Sequence, residues 1–178
     1  MDNGDRLFFL QYVERGNKRM KPSIIDLAEA NRFISLHHRH SLPLKPINVK
    51  FIIGLKSNDE LVGVSILGRP VNRYLDNNDT IEIRRLATNG IKNGCSFLLA
   101  RSCELAFSIG YNKIITYTLD IESGSSLKGC GFQISHKSKS NGKWKRNGST
   151  IQTRLDGKEL IPSQNKLCWF KDSKWKEE

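Results

Sequence analysis

Thr80–Phe132 reads TIEIRRLATNGIKNGCSFLLARSCELAFSIGYNKIITYTLDIESGSSLKGCGF, and three periods follow one another in it. Thr80 to Leu86 alternates, with Ile81 and Ile83 on one face and Glu82 and Arg84 on the other, which predicts a strand. From Cys95 the period lengthens. Phe97, Leu98, Arg101, Leu105 and Ile109 recur near helical spacing, and Gly110 suits a left-handed helix end. Lys113 to Leu119, KIITYTL, is rich in β-branched residues and predicts a second strand. A strand, loop, helix and strand in this order form a right-handed crossover between parallel strands.

The loop inside this unit, Thr88 to Ser96, holds two glycines, two asparagines, a lysine and a serine just before the helix. Unpaired N–H groups and the positive end of the dipole make such a helix start a seat for phosphate. The plainer reading is a turn with Asn93 as the helix cap.

The remaining chain builds outward from this centre. The 178 residues suffice for one domain with a real core, and 38% of them are hydrophobic, which excludes a disordered chain. Lys and Arg number 29 against 18 Asp and Glu, a net charge of +11 that favours a polyanionic partner or an anionic cofactor. No apolar run reaches the roughly 18 residues of a membrane helix. The acidic start, MDNGDRLFF, is not a secretory signal. Cys95, Cys103, Cys130 and Cys168 lack CxxC spacing, so free thiols in a reducing cytoplasm are expected, in the host cell if the chain is phage-encoded.

Ahead of the central unit, Lys21 to Ile25 predicts a first strand. Asp26-Leu27-Ala28-Glu29 is a capping box that opens a helix with Leu27, Ala30, Phe33 and Ile34 on one face. That helix should end near His40, before Pro43 and Pro46. Its end, His37-His38-Arg39-His40, holds three of the chain's four histidines. Histidine at a helix C-terminus complements the dipole. The functional readings are proton transfer, substrate contact, or ligation of iron or zinc by His37, His38 and His40. Val49–Lys56 and Leu61–Leu67 predict a hairpin. Arg69 and Arg73 follow in a shaped loop beyond a strand end, a place where loops carry function.

Behind the central unit, a strand is expected near Gly131–Ser135 and a return strand near Ser149–Leu155. Between them Lys137, Lys139, Lys143, Trp144, Lys145 and Arg146 form a basic hairpin tip turning at Asn141-Gly142. A basic ribbon carrying one aromatic suits a nucleic-acid backbone, and it equally suits an edge that resists aggregation. In the C-terminal stretch, Trp169 and Phe170 are expected to pack on the body.

This order of elements resembles the GNAT acyltransferase fold, and Ser125-Ser126-Leu127-Lys128-Gly129-Cys130-Gly131-Phe132 resembles the superfamily's short helix and Gly-Phe after the fifth strand. HHRH, GRPVNR, EIRRL, GCSFLLARS, TYTL and ESGSSLKGCGF together are similar to a family of small phage-encoded GNAT-like proteins, related in appearance to the Mom DNA-modification protein. The resemblance implies an α/β domain over residues 1–178. Its sheet is mixed and mostly antiparallel, with helices on both faces and a splayed central parallel pair. The core is expected at about 24–155, a basic hairpin at about 136–155, and a C-terminal tail at 156–178.

It further implies an acyltransferase that takes acetyl-CoA or another activated acyl donor and modifies a nucleobase amine in double-stranded DNA. Two alternatives stay open: acetylation of a protein or small amine, and a non-catalytic DNA- or partner-binding module on the same scaffold. Two departures stand out. The superfamily's Arg/Gln-x-x-Gly-x-Gly/Ala loop is not cleanly present, since Gly90 and Gly94 are spaced differently after Arg85. Leu127 also stands where many members carry an acid tyrosine, so Tyr117 is the nearest replacement. The expected catalytic set is Glu82, His38, His40, Tyr117 and Ser126. Arg85, Leu86, Asn93, Gly94, Cys95 and Ser96 are expected at the donor. His37, Arg39, Arg69, Arg73, Arg84 and Glu122 are expected at the acceptor. Flanking arginines are expected to hold Glu82 ionised. No membrane partner is expected, and a homodimer is left open.

Overall fold

The computed structural model describes residues 20–37, 44–47, 49–138 and 165–173. Seven strands form one mixed sheet in the order β1-β2-β3-β4-β5-β7-β6. They are β1 Lys21–Ser23, β2 Val49–Ser57, β3 Glu60–Gly68, β4 Thr80–Thr88, β5 Lys113–Leu119, β6 Gln133–Ser138 and β7 Lys166–Asp172. The helices are α1 Leu27–His37, α2 Gly94–Ser108 and the short α3 Ser125–Gly129. Among the described residues only β4 and β5 pair in parallel.

The Asp26 half of the expected capping box forms: its Oδ1 accepts from the Glu29 N–H at 2.7 Å. The apolar stripe of α1 packs Ala30, Phe33 and Ile34 onto Val64, Ile66 and Ala87 of the sheet. On the opposite face α2 buries Leu98, Leu99, Cys103, Leu105 and Ala106 against Ile53, Leu55, Ile81, Ile83 and Ile114. The two faces meet the demand of a sheet that is apolar on both sides. Gly110 takes a left-handed φ of 105° just beyond α2.

The parallel pairing is short. It runs from Thr80↔Lys113 to Ile83↔Thr116, while β4 continues to Thr88 and β5 to Leu119. The expected splay therefore opens after Ile83. A bulge sits at the same level, because Ile66 pairs with Arg85 and Leu67 with Ile83, which leaves Arg84 over.

β7 revises the expected core limit at residue 155. It inserts between β5 and β6, and Trp169 is fully buried in the main cluster with Leu127 and Phe132. The expected return strand at 149–155 lies outside the described residues, as do residues 139–146 of the basic tip.

Candidate active site at the strand splay

Glu82 is the centre of the site. It faces away from Ile81 and Ile83, as the alternation predicts, yet it is only 5% exposed. The loop after β3 folds over it. The Val71 N–H donates to its Oε2 at 2.7 Å, and Arg84 Nε lies 3.7 Å from its Oε1. Burial outweighs both contacts and raises the carboxyl pKa above the ordinary carboxylate range. The expectation that arginines hold it ionised is overturned: Arg84 and Arg85 do lower the pKa, but burial raises it by more. Distance and competition keep the arginine contribution small. Arg84 is too far for a tight ion pair, Arg69 is bound to Asp76 at 2.6 Å, and Arg73 stacks on Tyr74 at 5.0 Å.

Arg84 stands at the bulge with no register partner on β3 or β5. Its side chain is 16% exposed, and it donates to the Arg69 carbonyl at 3.1 Å. Arg85 is half-buried and donates to the Arg84 carbonyl at 2.6 Å. Burial and the like charge of Arg84 push its pKa down to about 10, which leaves it charged at neutral pH. Arg84, Arg85 and Lys166 all act on Glu82.

Tyr117 lies on the other lip of the splay. It faces Cys168 across the β5–β7 pairing and hydrogen-bonds with it, and burial raises its hydroxyl pKa well above the ordinary value. It is near enough to Glu82 for that charge to raise it further. The structure thus brings Glu82, Arg84, Arg85 and Tyr117 close to the level where the β4–β5 pairing ends.

Other candidates are placed differently. Glu122 Oε2 accepts from the Leu119 N–H at 2.9 Å, so it ties the end of β5. Ser126 is on α3, with its carbonyl accepting from the Cys130 N–H. Leu127 is buried in the core, so the position offers no acid. Leu86 packs half-buried against the core on the α2 side. His37 is exposed and stacks on Phe33 with centroids 4.3 Å apart. His38, Arg39 and His40 lie outside the described residues. Among the described residues no three His, Cys, Asp or Glu side chains gather to hold a metal.

The loop before α2 keeps some of its expected character. Asn93 is not a side-chain cap: its φ is 62° and it makes no capping hydrogen bond. Instead Asn89 Oδ1 accepts from the Ile91 N–H, and the Gly94 N–H donates to the Ile91 carbonyl. Gly94 is packed, since an added Cβ would meet Ile91 Cγ2 at 2.6 Å. Gly90, by contrast, has nothing within 4 Å of where a Cβ would be, and Lys92 beside it is exposed. An open glycine next to a cation at a helix start fits a phosphate group. Cys95 and Ser96 stand in the first turn, with Cys95 Sγ 3.6 Å from Thr88 Oγ1 and the Ser96 carbonyl accepting from Cys130 Sγ.

At the far end of β4 a separate polar pocket of about 190 Å³ is lined by residues that include Lys50, Arg69, Asp76, Asn78, Thr80 and Tyr111. Arg69, expected at the acceptor, belongs to this pocket. No signal in the sequence marked it, because Lys50 and Tyr111 are far apart along the chain.

No protein-family model and no curated protein matches this sequence. Solved structures do match it in fold. An acetyltransferase from Bacillus subtilis in complex with CoA superposes with a TM-score of 0.58 at 19% identity, over 87% of this chain and 98% of that one. A GNAT family acetyltransferase from Elizabethkingia anophelis with acetyl-CoA bound gives 0.62 at 16% identity, over 88% and 100%. The ribosomal-protein-S18-alanine N-acetyltransferase of Escherichia coli gives 0.61 at 11% identity, over 89% and 97%. The fold is therefore the GNAT fold, as the resemblance implied. None of these three is described as a phage or DNA-modifying protein.

Proposed function

We propose that this chain transfers an acyl group from a CoA thioester to an amine, with Glu82 as the base. The observation that carries this reading is a sheltered carboxylate at the splay of β4 and β5, in a fold it shares with acetyltransferases described as holding CoA or acetyl-CoA. A bound thioester supplies the carbonyl carbon. Everything else falls to the chain. A base with a raised pKa is nearer to neutrality and takes a proton more readily. Glu82 receives the amine proton as nitrogen bonds to the carbonyl carbon and the carbon–sulfur bond breaks. Tyr117 stays protonated near neutral pH and stands ready to give a proton to the departing thiolate. The bulge at Arg84 suits a backbone N–H donating to the carbonyl oxygen, because no ladder partner competes for it. Gly90 and Lys92 fit the donor's phosphates.

The acceptor we favour is an exocyclic nucleobase amine in DNA. The net charge of +11 and the motif likeness to phage-encoded GNAT-like proteins support it. One observation favours a non-catalytic binding module instead: Leu127 is a core residue where an acid tyrosine would be useful. Incubating the purified chain with acetyl-CoA and DNA separates the two. Enzymatic transfer releases free thiol and leaves an acyl mass on a base in digested nucleosides. DNA bound without thiol release supports the binding module.

A further inference from the structure

Resting on the acyl-transfer reading, we propose that the acceptor carries a phosphate or carboxylate beside its amine, and that Arg84, backed by Arg85 and Lys166, receives that anion. Consecutive arginines in the middle of a strand ordinarily point to opposite faces. Here the bulge falls between Ile83 and Arg85, and it re-aims side chains at the level where β4 and β5 part.

Both guanidiniums are sheltered, and Arg84 is 16% exposed at its side chain. Three cations, Arg84, Arg85 and Lys166, act on one carboxylate, Glu82, and that carboxylate is neutral more readily than usual. Arg84 and Arg85 are neighbouring like charges that disfavour one another, a repulsion that an anion bound at Arg84 would relieve. Among the described residues the Arg84 side chain donates one hydrogen bond, to the Arg69 carbonyl, and lies 3.7 Å from Glu82. A guanidinium has five N–H groups arranged to meet phosphate or carboxylate in pairs, so donors remain for such a group.

The donor's own phosphates do not account for this charge. They fit the Gly90 loop, and the five steps from Arg84 to Asn89 span roughly 16 Å of extended strand. The anion at Arg84 is therefore a second one, on the acceptor. It lies beside Glu82, so an amine delivered to the carboxylate brings its charged neighbour to Arg84. A cationic polyamine would meet the opposite field.

The test uses the full chain and acceptors paired by charge. Deoxyadenosine 5′-monophosphate is compared with deoxyadenosine, and glutamate with glutamine, while spermidine serves as the cationic control. Thiol release from acetyl-CoA and calorimetric binding are both read. At least one anionic member should show a KM or Kd roughly tenfold or more below its neutral partner. Arg84→Gln also touches Glu82, so its loss on the neutral partner is the reference. Beyond that common loss it should erase the difference between charged and neutral partners, while Arg84→Lys should keep part of it. The pair that responds tells phosphate from carboxylate. Equal affinity within both pairs, a preference for spermidine, or an Arg84→Gln loss that is the same for charged and neutral partners overturns the proposal. Anion-dependent binding without thiol release from any amine would sustain the anion site and overturn acyl transfer.

Discussion

Glu82 is held between two demands. Its burial destabilises the charged form, while the Val71 N–H and Arg84 stabilise it. If it is the base, Glu82→Gln keeps the Val71 hydrogen bond, since an amide oxygen accepts equally well, but it cannot take a proton. The expected loss of turnover is about 100-fold or more. Wild-type turnover should rise with pH through a pKa above the ordinary carboxylate range, and the variant should lack that rise.

Stability runs the other way. A carboxyl whose folded pKa is raised contributes stability that is fully present below its unfolded pKa and is lost as pH rises through the folded value. The variant has no such loss. Its melting temperature relative to wild type should therefore move upward from pH 4 to pH 8. A relative fall over that range would mean that the Arg84 contact, and not burial, dominates. The sequence revealed the residue and its face but not this balance. A strand with alternating polar positions implies solvent on one side. The loop after β3 closes on Glu82 through the Val71 N–H, and that is a tertiary event.

Element packing was legible where it was local. The Asp26 cap of α1, the period of α2 and the short parallel run follow from residues close in sequence. β7 was not, because its partners Lys113–Leu119 and Gln133–Ser138 are distant and its seven residues alternate weakly. Trp169 is nonetheless a keystone, and its Nε1 donates to Thr118 Oγ1 at 2.9 Å. Trp169→Ala should cost about 3–5 kcal/mol by denaturant midpoint.

Gly124, at a φ of 60°, packs directly on that indole. Gly124→Ala should therefore destabilise through the same ring, by roughly 1–3 kcal/mol. A second contact ties α2 to β3. Ser65 and Ser102 are fully buried and share a hydrogen bond of 2.8 Å. Ser65→Ala or Ser102→Ala alone orphans a hydroxyl and should cost about 1–3 kcal/mol, while the double change should cost less than the sum. Strict additivity would show that the hydroxyls are satisfied elsewhere.

The whole molecule carries +11, and for an enzyme acting on DNA most of that charge would meet phosphate rather than the reacting base. Lys137, Lys139, Lys143, Lys145 and Arg146 surround Trp144 in a segment that is described only as far as Ser138. At its root Lys137 pairs with Asp120 at 2.9 Å, a surface contact of small worth that phosphate can displace. Each phosphate contact releases counterions, so the logarithm of affinity for double-stranded DNA should fall linearly with the logarithm of salt concentration. Reversing Lys143 and Lys145 to Glu should flatten that slope by roughly two units. Lys137→Glu should change it less, because Asp120 already neutralises part of its charge. Arg84→Gln lies in the crevice and should leave the slope within about one unit, while altering turnover. A slope unmoved by the double reversal would mean that this basic segment does not contact DNA, and would leave its residues the plainer role of guarding a sheet edge.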